Sequence, residues 1–161
     1  MTTNEVQKPD DATLVVRRLL KATPELAFEA WTSAEHIVQW MRPEPGMVVP
    51  HAIMDLRPGG KYRIQMKTPD GEYYTAVGEF QEVIPPTKVV YTWDWEKDGS
   101  GTDFGEVEGK STLVTVEFIK SGDRTEMVLT HTRLASMESR DNHARGWGRI
   151  IDSFAASVEK S

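Results

Sequence analysis

SMESRDNHARGWGRIIDSFAASVEKS, residues 136–161, is the longest stretch of this chain with an unbroken helical period and no proline. From Met137 the apolar positions Ala144, Trp147, Ile151, Phe154 and Val158 recur at alternating three- and four-residue steps, which places them on one stripe of an α-helix. Arg140 alone interrupts the stripe, and His143 and Ile150 border it. Asp141, Arg145, Arg149, Asp152 and Glu159 fall mostly on the other side, with Asp141 and Arg145 spaced for an i,i+4 pair. A helix with such a face must be covered, and because everything upstream reads as short strands, the cover is a sheet. Gly146 and Gly148 flank Trp147, and each costs a helix interior about 1 kcal/mol relative to alanine. Two readings offset that cost: a strand passing close to the helix, which comes first, or space kept beside the indole for a ligand.

With 161 residues there is material for one domain with a real core and too little for two ordinary ones. The net charge of -6 and the absence of any basic stripe argue against a nucleic-acid partner. There is no cysteine, so disulfides, thiolate metal sites and a cysteine nucleophile are all excluded. The N-terminus lacks the apolar core of a signal peptide, and no run of about 18 apolar residues offers a membrane span. The expectation is a cytoplasmic protein without membrane or nucleic-acid contacts, monomeric or homodimeric. Residues 1–12 read as a flexible tail and 13–161 as the single domain.

Residues 13–20, TLVVRRLL, alternate as a strand in which Leu14, Val16 and Leu20 share a face with an unexpected Arg18. Thr23-Pro24-Glu25 starts a helix, with a capping threonine, a proline suited to the first turn and an acid at the positive end. Ser33 offers a second cap for SAEHIVQWM, whose apolar face is Ile37, Trp40 and Met41. MRPEPG then breaks regular structure. From Val48 the pattern is an antiparallel meander punctuated by Pro58-Gly59-Gly60, Pro69-Asp70-Gly71, Pro85-Pro86 and Ser121-Gly122-Asp123. In KYRIQMK, Tyr62, Ile64 and Met66 form a buried face opposite Arg63, Gln65 and Lys67. Tyr91, Trp93 and Trp95 share a face, as do Val114, Val116 and Phe118, and Met127, Leu129 and His131. The inward face of VVPHAIMDLR stays undecided. The sum is an α+β chain with about seven strands, two short helices after the first strand and one long terminal helix.

The runs TPELAFEAWTSAEHIVQWM, DLRPGGKYRIQM, DGEYYTAVGEF with EVIPPTKVVYTW, and HARGWGRIIDSF together resemble the activator of Hsp90 ATPase homologue 1-like proteins, within the START-like (SRPBCC, Bet v 1-like) superfamily. The resemblance spans about residues 14–158. It implies a helix-grip fold, a curved seven-stranded antiparallel sheet around the C-terminal helix, and a cavity between them for hydrophobic or amphipathic molecules. The family name records homology to a co-chaperone with a separate Hsp90-binding domain, for which this length leaves no room, so Hsp90 activation is not carried over. Scattered enzymes of the superfamily, such as aromatic polyketide cyclases, share no catalytic motif that can be transferred.

Of the histidines at 36, 51, 131 and 143, His51 and Asp55 share a strand face, a spacing too common to define a metal site. His131 continues an apolar strand face and His143 borders the helix stripe, so the two imidazoles can meet in the cavity, either as satisfied buried histidines or in an acid-base or ligand-orienting role. The acidic, glycine-rich segment 94–109 lacks the EF-hand pattern and reads as a solvated hairpin loop, able to act as a lid if it stands at the cavity mouth. Arg18 and Arg57 call for acidic partners, Asp55 being a candidate for either. No Ser-His-Asp order, phosphate loop or zinc helix appears. The expected function is therefore binding of a hydrophobic or aromatic small molecule, with Trp40, Met66, Tyr91, Trp93, Met127, His131, His143, Trp147 and Ile151 as the candidate ligand-binding residues, no cofactor, no metal and no assigned catalytic residue. Two alternatives stand beside it: a protein-interaction or stress-regulatory module related to the co-chaperone's C-terminal domain, and a cavity-based enzyme for cyclisation, dehydration or hydrolysis with His131 or His143 as base.

Overall fold

A computed structural model describes residues 3–160. Strands β1 (Glu5–Asp10), β2 (Thr13–Leu20), β3 (Val48–Met54), β4 (Lys61–Lys67), β5 (Tyr73–Ile84), β6 (Lys88–Glu96), β7 (Val107–Ser121) and β8 (Arg124–Thr132) form one antiparallel sheet in the order β1-β2-β8-β7-β6-β5-β4-β3. Helices α1 (Pro24–Thr32) and α2 (Ala34–Trp40) follow β2, and α3 (Met137–Val158) closes the chain. This is the helix-grip architecture. The apolar stripe of α3 is buried from Trp147 to Val158, with Ile151 and Phe154 at 0% exposure, against the inner faces of the sheet and α1 and α2.

Local chemistry sets the helix ends. The Thr23 hydroxyl accepts from the Leu26 N–H at 3.2 Å ahead of Pro24, and Ser136 accepts from the Ser139 N–H at 3.1 Å. Ser33 precedes α2 but its side chain makes no capping bond. The Asp141–Arg145 pair does not form: Asp141 meets Lys8 at 2.9 Å and Arg140 at 3.0 Å, while Arg145 turns to Asn142.

The sheet has eight strands among the described residues, not seven, because β1 lies in the stretch expected to be a flexible tail. All six of its residues are exposed, so no hydrophobic alternation announces it. Backbone pairing with β2 and side-chain ties to α3 hold it instead: Lys8 to Asp141, and Arg140 to the Asp10 carbonyl at 2.9 Å. Beside it Asn4 bonds the Gly148 carbonyl at 3.1 Å and, with Asp152, completes the surroundings of Arg18, which donates to Asn4 at 2.9 Å and Asp152 at 2.7 Å. Arg57 pairs with Asp55 at the surface.

β3 resists a single-face reading for a physical reason. Its pairing with β4 shifts between Val48 and His51, so Val49 faces inward before the irregularity and Ala52 and Met54 after it. β4 departs from expectation too. Tyr62, Ile64 and Met66 face the core as the alternation requires, but Arg63 and Gln65 on the opposite face are buried as well, at 0% and 4% exposure. The loop 97–106 folds back over them. Arg63 makes a two-pronged bond to Glu96 at 2.9 Å, Gln65 and Thr75 donate to the Gly99 carbonyl at 2.8 and 2.7 Å, and the Gly105 N–H closes on Glu96 at 3.0 Å. The middle of the acidic loop is thus tied to the face of the sheet away from α3, while Glu96, Lys97 and Glu108 at its ends reach the space beside that helix.

Candidate functional site

A cleft of about 580 Å³ opens between α3 and the end of the sheet where β4, β5, β6 and β7 meet the α2–β3 loop. Its inner wall is aromatic. Trp93 of β6 and Trp147 of α3 lie with ring centroids 4.8 Å apart, Trp95 stands edge-on to Trp93 at 5.4 Å, and Met66 adds an apolar contact from β4. Strand alternation brings Tyr91, Trp93 and Trp95 to one side, and the helical step brings Trp147 opposite. Pro43, Glu44 and Met47 supply one rim, Tyr73 and Tyr74 another, and Asn142, Arg145 and Arg149 project from α3. Arg145 and Arg149 reach Asn142 and the Pro43 carbonyl and pair with no carboxylate among the described residues.

Gly146 lines this cleft. A Cβ there would meet nothing nearer than the Pro43 Cβ at 3.7 Å, and one at Gly148 would find only the Asn4 side chain at 3.9 Å. No strand presses on either glycine, so close packing does not account for them. At Gly146 the missing side chain leaves open space beside the indole.

Behind the wall the two imidazoles meet, with His131 and His143 ring centroids 4.8 Å apart at 80°. Trp147 donates its indole N–H to His131 Nδ1 at 3.0 Å. Nε2 therefore carries the proton and donates to the Thr112 hydroxyl at 2.7 Å, which donates in turn to the Trp93 carbonyl at 2.9 Å. Both ring nitrogens of His131 are thus satisfied, and the residue is 0% exposed. Burial, reinforced by the neighbouring His143, pushes its pKa down to about 3, so the ring is neutral. His143 is only partly buried and reaches the cleft. Its Nδ1–H donates to the Ser139 carbonyl at 2.8 Å, leaving Nε2 as an acceptor whose one protein donor, the Trp95 indole, lies at 3.5 Å. Burial holds its pKa below the ordinary histidine value against the opposing pull of the Ser139 carbonyl.

Of the nine residues chosen from sequence, Met66, Trp93, His143 and Trp147 line the cleft. Trp40 and Tyr91 do not. With Trp93 they border an internal void of about 20 Å³, room for a single water, and Trp40 is stacked on Trp31 at 4.6 Å with its N–H on the Ala30 carbonyl. Met127 and Ile151, both fully buried, are core, and His131 stands one layer behind the lining. Sequence reasoning missed the rims: the fall of MRPEPG against α3 and the approach of Tyr73 and Tyr74 follow from tertiary placement and leave no local signal. Among the described residues no cluster of three or more histidines and carboxylates is placed to hold a metal ion, and no helix is long and apolar enough to cross a membrane.

A single long helix gripped by an antiparallel sheet, with an aromatic cleft at one end, defines the helix-grip class. The sequence profile of the "Activator of Hsp90 ATPase homolog 1-like protein" family matches residues 21–159, and the chain belongs to that family. Among curated proteins none matches significantly. Solved structures share the fold throughout: a Rhodobacter sphaeroides protein, 20% identical, covers 99% of each chain with a TM-score of 0.82. A Chromobacterium violaceum protein, 21% identical, covers 92% of this chain and 98% of its own at 0.79, and a Silicibacter pomeroyi member of the same family, 26% identical, covers 90% and 96% at 0.78.

Proposed function

We propose that this protein binds a small, flat, hydrophobic or aromatic molecule in the cleft between α3 and the β4–β7 end of the sheet. The observation that carries this reading is the aromatic wall of Trp93 and Trp147 facing the space left by Gly146. A volume of about 580 Å³ has ample room for a ligand of two or three fused rings, and an aromatic wall edged by polar and charged side chains can hold a flat ring while its substituents meet the rim. Rings give large contact area with few rotors to immobilise, which favours binding without a large ordering cost. Titration with 2-methoxynaphthalene, followed by tryptophan emission, tests it: saturable one-to-one quenching is expected. Ligand at a hundredfold excess over its dissociation constant should also raise native stability by about 2.7 kcal/mol. No quenching and no shift of the melting curve across a panel of flat aromatics would leave the fold without this function.

A further inference from the structure

The inner wall of the cleft is aromatic and its edges are polar and charged, with Glu44, Lys97, Glu108, Arg145 and Arg149 among them, and the hydrogen-bonding state of the imidazoles at the inner wall is uneven. His131 is saturated: Trp147 fills its acceptor and Thr112 takes its proton. His143 is not. The Ser139 carbonyl fixes its proton on Nδ1, one helical turn away, so Nε2 is committed as an acceptor. Nothing but the Trp95 N–H at 3.5 Å approaches that nitrogen, a contact at the outer limit of a hydrogen bond. Unmet polar groups in a sheltered place are costly, and a ligand that satisfies them is selected over one that cannot.

Resting on the binding function proposed above, we infer that the ligand is a hydroxylated aromatic, its ring against Trp93 and Trp147 and its hydroxyl donating to His143 Nε2. A neutral imidazole acceptor beside an aromatic wall distinguishes a phenolic hydroxyl from an ether or a bare ring, because only the hydroxyl brings a proton to donate. His131 packs against His143 with ring centroids 4.8 Å apart, and its own bonds to Trp147 and Thr112 hold it in place. Arg145 and Arg149 at the rim favour the competing chemistry, a carboxylate-bearing aromatic, so the test includes one.

Isothermal titration of the full chain with 2-naphthol, 2-methoxynaphthalene and 2-naphthoate at pH 7.5 separates these possibilities, with His143→Ala as the variant. A single neutral hydrogen bond predicts that 2-naphthol binds about five- to tenfold more tightly than the methyl ether. His143→Ala should abolish that preference, bringing the affinities of naphthol and ether to the same value. Equal affinities of naphthol and ether for the wild type, or a preference that survives in His143→Ala, overturn the inference and leave the binding function standing. So does a carboxylate that outcompetes the phenol, which would assign the anchor to the arginines. If none of the three compounds binds the wild type, the binding function falls as well. Should His143→Ala fail to fold, the wild-type comparison of phenol with ether decides alone.

Discussion

Trp147 donates its indole N–H to Nδ1 of His131 at 3.0 Å, and that bond determines which nitrogen of a fully buried imidazole carries the proton. Through Thr112 the same chain ends on the Trp93 carbonyl, so helix α3 is tied to β8, β7 and β6 behind the cleft wall. The conformation of the wall depends on a histidine remaining neutral.

Acid stability follows with a definite sign. His131 titrates near 3 in the folded chain because burial, then the neighbouring His143, disfavours its charged form, against about 6.5 when unfolded. Between those values the unfolded chain binds the extra proton, so the contribution is complete above about pH 6.5 and is lost as pH falls through this window, at up to about 1.4 kcal/mol per pH unit. Denaturant unfolding at pH 7 and pH 5 should show the loss. Glu96, Asp10 and Asp141, all with lowered carboxyl pKa values, begin to weaken the fold only at lower pH. His143, also lowered by burial, adds to the loss in the same window, so His131→Gln, whose amide can both accept from Trp147 and donate to Thr112, should reduce the slope between pH 6.5 and 5 without removing it; an unchanged slope would locate the titration elsewhere.

The two glycines around Trp147 predict opposite experiments. Gly148→Ala restores helix propensity with no close neighbour and should raise stability by about 1 kcal/mol without touching ligand affinity. Gly146→Leu should fill the cleft, reducing affinity for a flat aromatic at least tenfold while the melting temperature holds or rises. A collapse in stability for either variant would return the explanation to tight packing against a strand.

The pair Arg63–Glu96 is buried on the outer face, its side chains 0% and 2% exposed. Burial works to raise the glutamate pKa, but the bonds from Arg63 and the Gly105 N–H outweigh it and keep the group ionised. Arg63→Ala strands that carboxylate and should cost about 3–5 kcal/mol, and it should expose the backbone of loop 97–106 to hydrogen exchange. A cost below about 1 kcal/mol, in the range of a surface pair, would contradict the buried geometry.

How far these features were legible depends on whether a period announces them. The stripe Trp147–Ile151–Phe154–Val158 and the core-facing sides of β6, β7 and β8 are visible because each places apolar residues at a regular period toward the core. β3 is not, since the register shift near Pro50 switches its inward parity between Val49 and Ala52. Arg63 and Gln65 read as solvated because alternation cannot tell that a loop thirty residues on returns to cover them. β1 has no apolar pattern at all and is placed by backbone pairing and by Lys8 and Arg140. Four cleft residues were legible as aromatic, sulfur or imidazole side chains on converging faces. The rims, built from Pro43, Glu44, Tyr73 and Arg149, were not, because only the folded chain brings them together.

Entry of a flat aromatic ring into the cleft is read most directly from the indole N–H resonances of the five tryptophans during titration of ¹⁵N-labelled protein with 2-methoxynaphthalene. Trp93, Trp95 and Trp147 face or border the cleft, whereas Trp31 and Trp40 are stacked in the core. Saturable one-to-one shifts, largest at Trp93, Trp95 and Trp147 and abolished by Gly146→Leu, are the predicted result. Shifts led by Trp31 and Trp40, or no saturable shift at any indole, would contradict it.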